Sequence, residues 1–116
     1  MSLKMPKSNA NVQKPVLFVC APYRDKRGAY FIEQNIRFAE SIALELWKLG
    51  AVVLCPHLNT RLFDGFLPDS VWLSGDLELL NRCDAIVCAG TFTDGMKDEV
   101  SFANQRKLGI FQWPHD

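Results

Sequence analysis

The acidic residue best placed for chemistry is Glu99, which follows an apolar run and a glycine-bounded loop. The run Ala85–Ala89 predicts a buried strand, the loop spans residues 90–95, and a helix is predicted to begin at Met96. In an open α/β sheet, ligands bind where strands end, and helix N-termini there offer free N–H groups and partial positive charge. A carboxylate at that position is either a binding or catalytic group or an ordinary helix-start residue that complements the dipole.

A second acid, Asp76, lies in the middle of a predicted helix and keeps two interpretations as well. Its neighbours are mostly apolar, and most helical acids face solvent, so the residues alone favour a solvated Asp76. A capping box for Glu99 would need Ser or Thr where Met96 stands, so we expect Asp94 to cap the last helix instead.

Other polar side chains follow the first two predicted strands. Tyr23 and Arg24 come after the first strand, and His57 comes after the second. A parallel sheet places the loops after its strands on one rim, so these side chains are expected near Glu99. Arg24, with the basic residues at 26 and 27, suits a phosphate at a helix start or is simply a solvated face. His57 has no second His or Cys nearby, so we assign no metal.

The elements that must position these residues alternate between strand and helix. That alternation predicts the α/β class: a small three-layer α/β/α sandwich with a parallel, flavodoxin- or Rossmann-like sheet of about four strands. The stretch from His57 to Leu67 is predicted to be a long functional loop. Strands are predicted at Val16–Ala21, Ala51–Cys55, Ala85–Ala89 and 110–113, and helices at about 33–49, 68–81 and 96–108.

Length, charge and cysteine content bound the class of protein. The 116 residues predict one domain at 15–116 behind a flexible arm at 1–14. The balance of 13 basic and 13 acidic residues argues against a nucleic-acid binder. The sequence shows neither a signal peptide nor an apolar run that spans a bilayer, which excludes a membrane partner and predicts a cytoplasmic location. The four cysteines form no zinc spacing and are expected to be reduced thiols.

Sequence fingerprints of common cofactor and hydrolase folds are missing. The chain has no G-x-x-x-x-G-K-[ST] loop, no G-x-G-x-x-G after its first strand and no G-x-S-x-G elbow. We therefore predict no cofactor.

Six short stretches, in order along the chain, carry a family resemblance. Together they resemble the nucleoside 2-deoxyribosyltransferase-like superfamily, in particular its small, mostly uncharacterised phage and bacterial branch, over about Val16 to Trp113. The stretches are Phe18–Arg24, Asn35–Arg37, Val53–His57, Gly75–Leu77, Cys83–Val87 and Gly95–Glu99.

The resemblance implies a reaction and two catalytic residues. In that superfamily the glutamate of the G-x-x-x-E segment attacks the anomeric carbon of a nucleoside or nucleotide, which gives Glu99 the role of nucleophile. An acid in the preceding helix assists at the base, and Asp76 matches it. Cleavage of an N-glycosidic bond builds positive charge on the sugar, which a carboxylate can capture, while a second acid protonates the leaving nitrogen.

The resemblance also implies substrate-binding residues. The aromatic Tyr23 would line the site, Arg24 and the hydroxyl of Thr93 would meet a 5′-phosphate, and Asp94 and Gly95 belong to the segment that carries the nucleophile. His57, at the end of the Val53–His57 stretch, is included with them. Two features depart from the transferases: the charged pair beside Glu99, and a chain end at Asp116 that predicts hydrolysis or binding without transfer.

The predicted partner is thus a nucleoside or nucleotide, and the predicted protein is an N-glycosidase or deoxyribosyltransferase. The alternative is a catalytically silent nucleotide-binding or sensor module of the same fold, and a third possibility is an interaction protein whose acids are structural. A small sheet with three Trp and eight Phe also predicts a homo-oligomer, a dimer or higher.

Overall fold

A four-stranded, all-parallel sheet forms the centre of the structure, a computed structural model that describes residues 14–114. The strand order is β2-β1-β3-β4. The predicted α/β class and parallel sheet are therefore confirmed. The strands are β1 (Val16–Cys20), β2 (Val52–Leu54), β3 (Ala85–Ala89) and β4 (Gly109–Trp113).

Helices cover both faces of this sheet and complete the three predicted layers. The first long helix packs on one face, and the last two pack on the other. The helices are α1 (Ala29–Lys48), α2 (Pro56–Asn59), α3 (Asp69–Leu80) and α4 (Asp94–Gln105).

Alternation of side chains along the two central strands builds two cores. Val19 and Val87 point to the α1 face, whereas Phe18 and Ile86 point to the face covered by α3 and α4. All four side chains are buried. A strand that is covered on both faces reads as a continuous apolar run, which is why β1 and β3 were predictable from the sequence.

Helix α1 ends as its sequence predicts but begins earlier. At its end, Gly50 has φ 98°, and the N–H groups of Gly50 and Ala51 donate to the carbonyls of Trp47 and Leu46 at 3.0 and 3.3 Å. This pair of backbone hydrogen bonds ends the helix and depends on a glycine at position 50. The helix begins at Ala29 rather than near residue 33. In its first turn, Tyr30 is exposed and Phe31 is partly exposed. The apolar spacing of the buried face, which the prediction relied on, therefore starts only later in the helix.

The second predicted strand and the long loop after it also need correction. Strand β2 is shorter than Ala51–Cys55 at both ends, because the N–H of Ala51 bonds back to α1 and the carbonyl of Cys55 accepts from Leu58 and Asn59. The latter bonds start the short helix α2 inside the segment predicted to be a loop.

The starts of the last two helices are shifted by one or two residues. Pro68 was expected at the first helical position, but it is the cap residue and α3 begins at Asp69. Helix α4 begins at Asp94, and its cap is Thr93, whose hydroxyl accepts from the N–H of Met96 at 3.3 Å. The prediction that Asp94 caps this helix is wrong, and Glu99 consequently lies in the second turn rather than the first.

The chain changes direction between β1 and β3. From β1 it crosses to β2 on one side, and later it returns to β3 on the other side of β1. The loops that leave β1 and β3 therefore diverge and open a crevice at their carboxyl ends, which is where sheets of this kind bind ligands.

Gly90 starts the loop that leaves β3 toward this crevice. Its φ is 81°, and a Cβ there would lie 3.0 Å from the Phe38 ring and 3.1 Å from Cδ of Pro22. Both the backbone conformation and the close approach require glycine. The position of α4 relative to the sheet thus depends on this residue.

The described part of the chain also bears on two further expectations. Across residues 14–114, no helix combines the length and apolar character that a bilayer crossing needs. Apart from its last residue, Lys14, the predicted arm at 1–14 lies outside the described residues.

Candidate active site

A cavity of about 400 Å³ opens at the carboxyl ends of the strands, where the crevice was expected. Its walls come from the loop after β1, from α2 and the segment that follows it, from α3, and from the start of α4. All eight residues that the sequence assigned to the site line it. These are Tyr23, Arg24, His57, Asp76, Thr93, Asp94, Gly95 and Glu99.

Glu99 projects from the second turn of α4 into the cavity and is partly buried. Burial is the main reason that the pKa of its carboxyl is raised to about 7, and the nearby charges of Asp76 and Asp98 raise it further. The nearby Cys20 thiol at the end of β1 acts in the opposite direction and lowers the pKa of Glu99. At neutral pH this carboxyl is thus divided between its protonated form and its nucleophilic form.

Asp76 faces the same cavity from the middle of α3 and is partly buried. Removal from water raises the pKa of its carboxyl to about 6. Since its negative charge also raises the pKa of Glu99, the two carboxyls interact. The interpretation that the residues alone favoured, a solvated Asp76, does not match this placement. Two apolar residues of the same helix, Val71 and Leu73, are 45% and 61% exposed.

One face of α3 is turned toward the cavity, which explains the placement of Asp76. Asp69, Trp72, Leu73 and Asp76 recur at helical spacing and all line the cavity. That spacing was the available signal for Trp72 and Leu73, which were not among the predicted site residues. Trp72 also keeps its indole Nε1 buried without a hydrogen-bond partner among the described residues. A buried donor next to a cavity can bond an acceptor atom of a ligand.

Tyr23 and His57 form an aromatic wall. Their rings meet edge to face at 5.2 Å, and Nε2 of His57 lies 2.9 Å from the Pro22 carbonyl. Because a carbonyl only accepts, Nε2 is the protonated nitrogen. Burial lowers the pKa of His57, so the ring is neutral at pH 7. The amide of Asn35 donates to the Tyr23 carbonyl at 3.0 Å and fixes the loop that carries the ring.

Arg24 reaches the cavity mouth already paired. Its guanidinium bonds both carboxylate oxygens of Asp64 at 3.0 Å and one oxygen of Asp69 at 2.8 Å. The two other basic residues considered for a phosphate, Lys26 and Arg27, are absent from the cavity wall, and Arg27 pairs with Asp25 at 2.7 Å. Sequence reasoning missed Asp64 and Asp69, which are far from Arg24 along the chain.

The three remaining candidates come from the β3–α4 connection. The Thr93 hydroxyl is occupied as the helix cap, and the fully exposed Asp94 carboxylate lies 3.6 Å from the Lys97 ammonium. Gly95 has open space where a side chain would be. Within residues 14–114, no group of His, Cys, Asp and Glu has the arrangement that would hold a metal ion.

The elevated pKa of Glu99 makes a prediction about stability. The folded-state pKa of about 7 lies above the ordinary value of 4.5, so ionising Glu99 destabilises the fold increasingly as pH rises from about 4.5 to 7. Glu99→Gln removes this penalty. We therefore expect the variant to exceed the wild type in unfolding free energy at pH 8, by up to about 3 kcal/mol, and to match it near pH 4.

Urea unfolding at the two pH values measures the difference. Glu45→Gln is the matched control, since Glu45 is an exposed α1 residue paired with Lys48 at 3.3 Å. A Glu99→Gln protein that is equally or less stable than the wild type at pH 8 would show that the carboxylate is a simple helix-dipole residue.

Comparison with known proteins places the chain by family and by fold. The chain belongs to the family described as "Domain of unknown function (DUF7768)", whose model matches residues 15–112. A solved structure of a 2-deoxyribosyltransferase from the psychrotolerant bacterium Bacillus psychrosaccharolyticus is similar to it, with a TM-score of 0.60 and 16% identity over 84% of this chain and 70% of that chain. No curated protein matches. The resemblance to the deoxyribosyltransferases is thereby confirmed at the level of the fold.

Proposed function

We propose that this protein is an enzyme that cleaves the N-glycosidic bond of a nucleoside or nucleotide through a covalent glycosyl-enzyme intermediate. One observation carries the proposal: two interacting carboxyls, Glu99 and Asp76, share a cavity at the strand ends and both have raised pKa values. Raised carboxyl pKa values in a cleft are typical of catalytic acids and nucleophiles. The fold resembles that of a 2-deoxyribosyltransferase, and this likeness supports the same chemistry by analogy.

The proposed reaction has two steps. In the first, an oxygen of the ionised Glu99 carboxylate attacks the anomeric carbon, and the bond from that carbon to the base nitrogen breaks. Protonated Asp76 gives its proton to the leaving base, which departs neutral. The sugar is now held as an ester of Glu99. In the second step, water attacks the anomeric carbon and the ester bond to Glu99 breaks. A proton of the attacking water passes to Asp76, so both carboxyls return to their starting forms.

Other cavity residues would hold the substrate. Tyr23 and Trp72 offer aromatic surfaces for a base, and the unpartnered indole N–H of Trp72 can donate to one of its acceptors. His57 acts mainly as a positioning residue, because it fixes the Tyr23 loop through the Pro22 carbonyl. Gly95 leaves open space beside the helix start for the sugar.

Incubation with a panel of 2′-deoxynucleosides, ribonucleosides and their 5′-monophosphates, followed by chromatography for free base, tests this function. Release of a base from any member supports it. The same panel in a thermal shift assay separates the alternative, a silent binding module, because a ligand that binds only the folded state raises the melting temperature. A shift without base release would favour that alternative, and neither response would contradict both.

We also propose that the protein assembles as a homo-oligomer, at least a dimer, in a cytoplasmic setting. Leu62 and Phe66, in the segment between α2 and α3, are 80% and 79% exposed, and Leu73 on α3 is 61% exposed. Large apolar side chains with this exposure favour burial against another subunit. All four cysteines are buried free thiols, which is typical of a reducing compartment.

Light scattering tests the assembly. We expect at least twice the monomer mass at tens of micromolar, and we expect Leu62→Asp with Phe66→Asp to reduce that mass. Val71→Asp changes an apolar residue at the start of α3 that is 45% exposed. A similar loss of mass in this variant would show that the interface extends onto α3. A wild-type protein that scatters as a monomer would contradict the proposal.

A further inference from the structure

The wall of the cavity carries a strong excess of negative charge. Arg24 is the one permanently charged base among the described residues that line it, since His57 is neutral at pH 7. Against it stand the carboxyl groups of Asp64, Asp69, Asp76, Asp94, Asp98 and Glu99.

The single guanidinium is occupied on two sides. Asp64 binds it through both carboxylate oxygens, and Asp69 binds it through one. These two acids come from the segment before α3 and from its first turn, whereas Arg24 comes from the loop after β1. The triad as a whole is negative, and both terminal nitrogens of Arg24, with which a phosphate would form an end-on bidentate contact, already donate to carboxylates.

Three other acids of the cavity wall are not compensated either. Asp76, Asp98 and Glu99 form no ion pair with a basic side chain within residues 14–114. A 5′-phosphate brings a charge of about −1.5 to −2 at pH 7. It would enter a partly desolvated space of the same sign, where repulsion is stronger than in water.

We propose that Asp64 and Asp69 determine the charge specificity of this site: by occupying Arg24, they make the cavity accept an unphosphorylated nucleoside and reject its 5′-monophosphate. This inference rests on the proposed function and narrows its substrate class. It reverses the expectation from the sequence that Arg24 favours nucleotides, because that expectation required a free guanidinium.

The decisive variant is Asp64→Asn with Asp69→Asn, which frees Arg24 and removes two negative charges. Arg24, Asp64 and Asp69 have side-chain exposures of 52%, 44% and 63%, so loss of their ion pairs costs little stability and the variant should fold.

The measurement is the ratio of affinities for 2′-deoxyadenosine and 2′-deoxyadenosine 5′-monophosphate, and for the cytidine pair, from thermal shift titrations. For the wild type we expect the nucleoside to bind at least about tenfold more tightly, the scale of one unfavourable charge contact. The double variant should move that ratio at least about tenfold toward the monophosphate. Adding Arg24→Met to it should cancel the gain.

A matched control uses a second Asp–Arg pair of the same kind. Asp25→Asn frees Arg27, which the cavity wall does not include, so it should leave the ratio unchanged. A wild type that binds monophosphates as well as nucleosides would overturn the proposal, and so would a double variant whose ratio does not move.

Ribose 5-phosphate separates this inference from the proposed function, because it probes anion binding without a base. Suppose that neither protein responds to any nucleoside, but the double variant binds ribose 5-phosphate more tightly than the wild type does. The proposed function would then fail while the role of the two aspartates stands. Equal ribose 5-phosphate binding by both proteins would overturn that role whether or not the enzyme releases base.

Discussion

Glu99→Gln is expected to abolish base release while leaving the protein folded. Glutamine keeps the size and hydrogen-bonding capacity of the side chain, but its neutral amide cannot form the glycosyl ester. Loss of a nucleophile typically lowers the rate by roughly 10³-fold or more. Chromatographic measurement of free base, on the best substrate of the panel, gives the ratio of wild-type to variant rates.

Two controls make this result specific. Circular dichroism should show a folded variant, with the higher stability at pH 8 that the raised pKa of Glu99 implies. Glu45→Gln, a change of the same chemistry on the exposed face of α1, should keep the wild-type rate. Base release at the wild-type rate by the Glu99→Gln protein would rule out the covalent mechanism, although the fold and the cavity would be unaffected.

Asp76→Asn is expected to slow base release by about 10²–10⁴-fold, the usual contribution of a positioned proton donor. The effect should be smaller than that of Glu99→Gln because asparagine can still donate a hydrogen bond to the leaving nitrogen. It should also be smallest for bases that leave readily without protonation. Comparing rates for a good and a poor leaving base therefore separates a proton donor from a residue that only shapes the cavity.

The pH dependence gives a second readout for Asp76. The two interacting carboxyls have pKa values of about 6 for Asp76 and about 7 for Glu99. The reaction uses the less populated singly protonated form of the pair, in which Glu99 is ionised and Asp76 keeps the proton. The wild-type rate should peak between these values, falling in acid where both are protonated and in base where both are ionised. Asp76→Asn should lose the alkaline limb and keep a single acid limb set by Glu99 alone, with a pKa below about 7 because the charge of Asp76 no longer raises it.

Glu78→Gln is the matched control for Asp76→Asn, because Glu78 is an exposed α3 residue that lies 3.7 Å from Arg82. We expect it to preserve both the rate and the bell-shaped profile. An Asp76→Asn protein that keeps an unchanged alkaline limb would show that another group supplies the proton, and Asp98 would be the next residue to replace, since it lines the same cavity.

Most of the fold was predictable because its decisive signals are local. The apolar runs of β1 and β3 reflect burial on both faces, and the spacing of Ile36, Ala39, Ala43 and Leu46 marks the buried stripe of α1. Errors fell at element ends, where a hydrogen bond decides. Whether Thr93 or Asp94 caps α4, for example, depends on which side chain meets the N–H of Met96.

The site was predictable only in part. Loops after parallel strands share a rim, so Tyr23, His57 and Glu99 were expected together. The orientation of α3 was not predictable, since its apolar residues do not form one stripe and the helix turns Asp69, Trp72 and Asp76 to the cavity.

Arg24 illustrates a second limit. Its electrostatic role depends on two acids, Asp64 and Asp69, that lie 40 and 45 positions away in sequence. No local pattern announces such pairing. The family resemblance identified candidate residues, whereas the structure supplied the partners that change what Arg24 is able to bind.

Trapping of the glycosyl-enzyme intermediate tests the central claim most directly. The wild-type protein is incubated with a 2′-fluoro-2′-deoxynucleoside, whose fluorine slows hydrolysis of the ester, and is then digested with trypsin. Cleavage after Lys97 and Arg106 leaves one peptide that contains Glu99. We predict a mass increase of one fluorinated sugar on this peptide, located at Glu99 by fragmentation and absent from Glu99→Gln. A sugar attached to Asp98 or elsewhere, or base release with no adduct at all, would contradict the assignment of Glu99 as the nucleophile.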